Sequence, residues 1–296
     1  MSAQAFQLHP ERRLFSNVLA VSRPDTTQQF VGKVFDKEHF VHLHNELAIL
    51  LALRDCPVVV SMYGAIPYGQ NTALIMERMD GDVLDLLEEP SYRPHHGLDI
   101  FIQTCKAIQS CHQRDVAHLD IKPENLLYSR SNQSPSGYSI KLTDFGSSAY
   151  KRPETRGFFG TLYYGAPECV AHWEKKNPHP YDTKKADLWS LGILLHVLLT
   201  NTWPYHQAED GVVAEQILSH SLHLSSLLPP RLRRIVSALL RKDPDERASI
   251  EWVLAQLEED EASPATSPRS PRVSPRRRPL RRLLNQISKC TQLSSA

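Results

Sequence analysis

The sequence predicts an α+β fold, with a small β-rich lobe ahead of a larger helical one. Two patterns predict it. Residues 14–35 alternate apolar and polar side chains, with the turn signal RPDTT at 23–27 between the strand-like runs NVLAV and FVGKVF. After DGD at 80–82 the pattern turns helical, over 98–113, 186–200, 209–219, 230–241 and 248–259. Between the two, FVHLHNELAILLAL (40–53) has helical spacing that puts Leu43, Leu47, Leu50 and the Ala52–Leu53 pair toward one side. VVVSMYGAI and TALIMERM read as a second strand pair of the first lobe. In the helical half, NLLYS and YSIKLTD read as short strands on either side of a polar loop.

Composition bounds the possible functions. The chain has 296 residues, 41% of them hydrophobic, which is ample for a large core, and a net charge of +1. That charge is unevenly spread. Ala262–Ala296 holds eight Lys or Arg and no Asp or Glu, so the tail is +8; the rest, with 26 basic and 33 acidic residues, is −7. The five cysteines form no close metal-ligand pair and are odd in number, which suits free thiols and an intracellular place, cytoplasmic or nuclear. The N-terminal segment has no apolar run of the signal-peptide kind. The apolar stretch at Leu188–Leu199 is broken by Trp189, Ser190, Gly192 and His196. It is too short to span a ~30 Å bilayer and predicts a buried core helix rather than a transmembrane segment.

Short motifs punctuate this frame: FVGK (30–33), Glu46 on the predicted helix, HLDIKPEN (118–125), TDFG (143–146), GTLYYGAPE (160–168), ADLWSLG (186–192) and DPDER (243–247). Taken singly, each has a plain structural reading. Lys33 passes as a solvated strand lysine, Glu46 as a surface helix charge, His118 as a satisfied core histidine and Asp144 as a turn residue before glycine. Their order and spacing are what single them out.

In that order the motifs resemble those of eukaryotic-type protein kinases, over residues 11–258. The resemblance implies the bilobal protein-kinase fold. An N-terminal extension at 1–10 precedes a kinase domain at 11–260, with an N-lobe at 11–76, a hinge at 77–80 and a C-lobe at 81–260. A basic tail follows at 261–296. It also implies the use of ATP and Mg²⁺. Phosphoryl transfer asks a protein mainly to position groups and neutralise charge. Asp120 then accepts the proton of the substrate hydroxyl, and Lys122 reaches the transferring phosphate. Asn125 and Asp144 offer oxygens to Mg²⁺. Lys33 holds the α- and β-phosphates, with Glu46 as its ion-pair partner. Val18 and Val31 cover the adenine, and Glu77 and Met79 line the hinge behind the gatekeeper Met76. Asp187 braces the catalytic loop, and Arg247 pairs with Glu168. The DIKPEN pattern and Thr161 resemble Ser/Thr rather than tyrosine kinases. HLDIKP followed by DTKKAD is similar to Mos-like kinases.

Three departures from the family stand out. The glycine-rich loop is missing: its three glycine positions fall at Glu11, Arg13 and Ser16, and its aromatic tip at Phe15. Without glycines the backbone amides cradle phosphate less well, and Arg13 offers a side chain instead. Val31 replaces an alanine and presses on the adenine pocket. Leu119 replaces the arginine that grips a phosphate on the activation segment, and the matching phosphosite falls at Gly157. Receptor and site are lost together, so the segment is expected to be ordered without phosphorylation.

The protein partners implied are substrates with Ser or Thr acceptors. A rival reading, a pseudokinase scaffold with little turnover, draws on the missing glycines and Val31. A nucleic-acid reading draws on the tail alone, since the body is acidic and carries no nucleic-acid motif. The tail holds four Ser-Pro steps at Ser263, Ser267, Ser270 and Ser274. Its composition predicts disorder, and Leu280, Leu283, Leu284 and Ile287 beside Arg281 and Arg282 suit a docking partner or an anionic membrane surface.

Overall fold

The computed structural model describes residues 6–14, 17–174, 179–205, 209–219 and 222–258. The expectations placed on Phe15, Ser16 and the basic tail lie outside the described residues. The N-lobe is an antiparallel sheet of β1 (Gln7–Arg13), β2 (Val18–Ser22), β3 (Phe30–Phe35), β4 (Met62–Tyr68) and β5 (Asn71–Glu77), in the order β1-β2-β3-β5-β4. Helix α1 (Phe40–Ala52) lies between β3 and β4 in the chain.

Strand alternation sorts this sheet into two faces. On the outer face Val21, Phe30, Ala73 and Ile75 form a closed apolar cluster, with Phe6 and Leu8 packed against it. On the inner face Val18 lies opposite Lys33, and Val31 opposite Met76. The sheet begins at Gln7, ahead of residue 11, because Leu8 is needed to finish the outer cluster. Pro10 cannot donate to a ladder, and the β1–β2 register slips there, from His9 opposite Ala20 to Arg13 opposite Leu19.

Residues Val58–Ser61, expected as strand in the N-lobe sheet, are not part of it. Val59 bridges to Leu142 instead, with Val60 N–H donating to the Leu142 carbonyl at 3.0 Å. This apolar run therefore ties the two lobes together.

The C-lobe follows as β6 (Gly81–Asp82), α2 (Val83–Glu88), α3 (Pro94–His112), β7 (Val116–Ala117), β8 (Leu126–Arg130) and β9 (Tyr138–Leu142). Then come β10 (Ala149–Tyr150), β11 (Glu154–Thr155), α4 (Pro167–Trp173), β12 (Tyr181–Asp182), α5 (Thr183–Thr200), α6 (Asp210–Ser219), α7 (Pro230–Leu239) and α8 (Ile250–Glu258). Strands β6, β8 and β9 form one small sheet, and β7–β10 and β11–β12 pair separately.

Helix α5 is the centre of this lobe. Apolar residues surround it rather than forming a stripe, and Trp189, Leu191, Ile193, Leu194, Leu195 and Val197 are all fully buried. The Asp182 carboxylate caps its first turn by accepting the Lys185 N–H at 3.0 Å. Asn201, in the left-handed region at φ 54°, ends it. No described helix is long and apolar enough to cross a membrane.

Candidate active site

Four elements converge on the cleft between the lobes: β3, α1, the loop between β7 and β8, and the turn after β9. Lys33 projects from β3 toward α1. Its Nζ donates to Glu46 Oε2 at 2.8 Å and to Asp144 Oδ1 at 2.9 Å. Glu46 is fully buried, on the face of α1 that also carries Leu43, Ile49 and Leu50. Asp144 keeps its side chain 45% exposed toward the cleft.

The electrostatics of the trio follow from burial and charge. Burial works to lower Lys33, but the Glu46 and Asp144 carboxylates outweigh it and hold its pKa above the ordinary lysine range. Burial lifts Glu46 above the usual carboxylate range, against the pull of Lys33. For Asp144 the balance is reversed: burial acts upward, but Lys33 prevails and keeps it low. One ammonium therefore faces two carboxylates, and Asp144 remains an anion with an oxygen to spare.

Across the cleft, Asp120 lies in the loop between β7 and β8, only 8% exposed. Its Oδ1 accepts the Thr161 hydroxyl at 2.8 Å, and its Oδ2 accepts the Asn125 amide at 2.9 Å and the Lys122 ammonium at 2.8 Å. Lys122 also donates to Thr161 Oγ1 at 2.7 Å. Burial acts to lower Lys122, yet Asp120 and Glu124 carry its pKa above the normal value. The loop is held from below by Asp187 of α5, which accepts the N–H groups of His118 (2.8 Å) and Leu119 (2.7 Å). Pro123–Asn125 forms a 3-10 turn that sets Asn125 facing Asp120, where its Nδ2 also donates to the Asp120 carbonyl at 2.8 Å.

Lys33, Glu46 and Asp144 thus meet in one cluster, and Asp120, Lys122 and Asn125 in a second. Val18 and Val31 line the inner sheet face beside Lys33, both partly buried. Met76 is buried, so Val31 and Met76 narrow the cleft between them. Glu77 has its carboxylate committed: Oε1 accepts the Ser61 N–H and the Lys141 ammonium, each at 2.6 Å. What Glu77 offers a ligand is its backbone, and Met79 follows it in the hinge, half-buried. Arg247 pairs with Glu168 at 2.8 Å.

Other residues of the site carry no motif signal. The Asn45 amide donates to the carbonyls of Phe145 (3.4 Å), Gly146 (3.3 Å) and Ser148 (2.9 Å), which locks α1 to the turn bearing Asp144. Ser148 Oγ donates to the His118 carbonyl at 2.8 Å, and His112 Nε2 lies 2.8 Å from Asp187 Oδ2. In sequence these are one polar residue among many, and only the fold brings them to the loop.

A magnesium site is compatible with these donors. Asn125 spends its amide nitrogen on Asp120, so Oδ1 is the atom it has to offer a metal, and Asp144 presents a carboxylate. No group of three His, Cys, Asp or Glu suited to a metal occurs among the described residues. Mg²⁺ does not require one, since it is commonly held by one or two side-chain oxygens plus phosphate oxygens and water.

Comparison with known sequences agrees with this arrangement. The protein kinase domain profile matches residues 14–257, most of the chain. The chain belongs to the protein kinase family. Among curated relatives, the kinase domain is 30% identical over 264 residues to the SNF-related serine/threonine-protein kinase of Rattus norvegicus, covering 84% of this chain and 33% of that one. It is 29% identical over 231 residues to calcium-dependent protein kinase 34 of Arabidopsis thaliana, covering 75% and 42%. With CBL-interacting serine/threonine-protein kinase 20 of the same plant it shares 27% over 252 residues, covering 81% and 54%. The chain thus spans about a third to a half of the length of these relatives.

Proposed function

We propose that this kinase domain transfers the γ-phosphoryl group of ATP to Ser or Thr hydroxyls of protein substrates, and that it does so without a phosphate on its activation segment. The observation that carries the reading is the fixed carboxylate of Asp120. Both of its oxygens are held by donors, at Thr161, Asn125 and Lys122. It therefore stands as an oriented acceptor beside a cation.

The chemistry follows from those positions. The substrate hydroxyl oxygen attacks the γ-phosphorus, its proton passes to Asp120, and the bond to the bridging oxygen breaks so that ADP leaves. Lys122 neutralises charge on the moving phosphoryl group. Lys33, held by Glu46 and Asp144, orients the phosphates that stay behind. Asn125 Oδ1 and Asp144 would hold Mg²⁺, which supplies charge neutralisation between the phosphate oxygens. Thr161 ties the activation segment to Asp120, the arrangement the resemblance associates with Ser/Thr acceptors.

Independence from phosphorylation rests on what orders the segment. Glu154 and Thr155 pair with Asp182 and Tyr181 as a short ladder. The Tyr181 hydroxyl donates to the Gly157 carbonyl at 3.0 Å, and the Thr183 hydroxyl to the Arg152 and Pro153 carbonyls, each at 3.1 Å. Neutral hydrogen bonds thus support the stretch around Gly157, the position to which the resemblance assigns the phosphosite. The pseudokinase alternative is not favoured, because every charged group the transfer needs is present and paired.

The test uses the full chain, purified and treated with phosphatase, then given MgATP with Ser, Thr and Tyr peptides. Label entering Ser and Thr but not Tyr supports the reading. Transfer that returns only after an upstream kinase modifies Thr155 or Ser148 would contradict the phosphate-independent part.

A further inference from the structure

Helix α1 meets the turn after β9 through three polar residues. His42, Asn45 and Glu46 are spaced three and four apart, so they share one face of the helix. His42 Nδ1 lies 3.4 Å from the Gly146 carbonyl oxygen, and the Asn45 amide reaches the carbonyls of Phe145, Gly146 and Ser148. The Phe145 N–H, in turn, acts on the Glu46 carboxylate as a donor and favours its charged form. The amide of Asn45 thus serves the carbonyls of the turn, and the carboxylate of Glu46 serves its N–H.

Two N–H groups of Asn45 face three carbonyls. The bond to Ser148, at 2.9 Å, is the well-formed one, and Gly146 and Phe145 at 3.3 and 3.4 Å compete for the other hydrogen. Ser148 carries the tie onward: its N–H donates to the Phe145 carbonyl at 3.2 Å, and its hydroxyl to the His118 carbonyl at 2.8 Å, two residues before Asp120. A line of neutral hydrogen bonds therefore runs from α1 through the turn to the loop that bears Asp120. On the other side of α1, Phe40, Val41 and Leu51 are exposed, so the helix is held from its inner side. Leu43, Ile49 and Leu50 supply apolar packing there, which is non-directional and tolerates small shifts. Hydrogen bonds are directional and fix a register.

We infer that Asn45 is a positioning residue for phosphoryl transfer: its amide sets the register between α1 and the Asp144 turn, and with it the Lys33–Glu46–Asp144 cluster and the Ser148 tie to the Asp120 loop. The inference rests on the phosphoryl-transfer reading above. Asn45 acts through backbone carbonyls and moves no proton. What it contributes is donor polarity at one place on the helix, next in sequence to Glu46.

Steady-state kinetics and amide hydrogen exchange of the full chain test this, in the natural sequence, Asn45→Asp, Asn45→Gln and His44→Gln. Asn45→Asp keeps the shape but turns acceptor oxygens toward the three carbonyls. It is expected to lower kcat by about 10- to 100-fold while peptide KM stays within about threefold, because geometry is lost rather than substrate contact. Exchange should quicken at Phe145–Ser148 while the amides of α5 stay protected, which separates a local shift from general unfolding. Asn45→Gln keeps the amide and should recover part of kcat. His44→Gln, exposed on α1 with its ring against Phe40 of the same helix, should match the natural sequence. An unchanged kcat in Asn45→Asp, equal losses in Asn45→Asp and Asn45→Gln, an equal loss in His44→Gln, or exchange that quickens in α5 as well would overturn the inference alone. A natural chain that transfers no phosphate would overturn it together with the phosphoryl-transfer reading.

Discussion

Asp187 accepts the backbone N–H of Leu119 at 2.7 Å and so holds that leucine in the left-handed region, at φ 62°. A leucine there carries roughly 1–2 kcal/mol of backbone strain. The second oxygen of Asp187 takes the His118 N–H at 2.8 Å, so one buried carboxylate fixes two consecutive amides just before Asp120. Asp187→Asn keeps the size and offers a single carbonyl oxygen to two donors. It should lower stability in urea unfolding by about 2–3 kcal/mol and reduce kcat more than it raises KM, because the loop that carries Asp120 relaxes. An unchanged kcat would show that the loop holds its shape without Asp187.

Gly160 sits where the activation segment meets that same loop. Its φ is +87°, and a Cβ there would stand 2.2 Å from the Leu119 carbonyl oxygen and 3.1 Å from Asp120 Oδ1. Gly160→Ala should cost at least ~1–3 kcal/mol and remove activity, since the two segments must move apart. Gly211, in the first turn of α6 with open space around it, makes the contrasting case. Gly211→Ala should raise stability by about 0.4–1 kcal/mol and leave activity alone. Paired thermal melts and initial rates check both.

Glu46→Gln separates charge from shape. Burial already raises the pKa of Glu46, so removing its charge relieves a cost, and Lys33 keeps Asp144 at 2.9 Å. Unfolding free energy should change by no more than about 1 kcal/mol. Activity should fall by roughly 10- to 100-fold, because Lys33 then leans on Asp144 alone and loses its aim at the phosphates. A chain that unfolds instead would show Glu46 to be structural first.

His196 predicts a pH response in the C-lobe. Its ring is buried in α5, with Nδ1 2.8 Å from the Thr202 carbonyl and Nε2 accepting the Ser225 N–H at 3.1 Å, which fixes one neutral tautomer. Burial, helped by nearby Arg233 and opposed by the Thr202 carbonyl, lowers its pKa below 6.5. As pH falls below 6.5 the unfolded chain takes up the proton first, so stability present above that point is lost progressively through the folded value. Melting temperature should drop on acidification from pH 7 to 5. His196→Gln, which cannot titrate, should start lower and fall less over the same range. Parallel curves would rule His196 out as the source.

Much of this was legible in the sequence, and what was not has physical causes. That Val31 and Lys33 share a face follows from strand alternation once FVGK is placed, whereas Val18 is reached only by counting back at the family's spacing; their partners Lys33 and Met76 come from the register. The core helix α5 follows from the dense apolar content of Leu188–Leu199, despite the Ser190, Gly192 and His196 that interrupt it. The first strand was hidden because its Pro10 and its run of charges look like coil, whereas its burial is supplied by neighbours such as Phe30 and Ile75. The Val58–Ser61 run has strand composition, but the partner that satisfies its backbone lies in the other lobe. Asn45 and Ser148 act through backbone carbonyls over 100 residues away or 30 residues back, contacts that no local pattern encodes.

The central claim is that Asp120, fixed by Thr161, Asn125 and Lys122, drives phosphoryl transfer in a site that binds nucleotide through Lys33. The most direct test measures transfer of γ-labelled phosphate and MgATP affinity together, in the natural chain, Asp120→Asn and Lys33→Met. The account predicts transfer by the natural chain and its loss in both variants, with MgATP affinity kept in Asp120→Asn and reduced in Lys33→Met. Nucleotide binding without transfer by the natural chain, or undiminished transfer in Asp120→Asn, would contradict it.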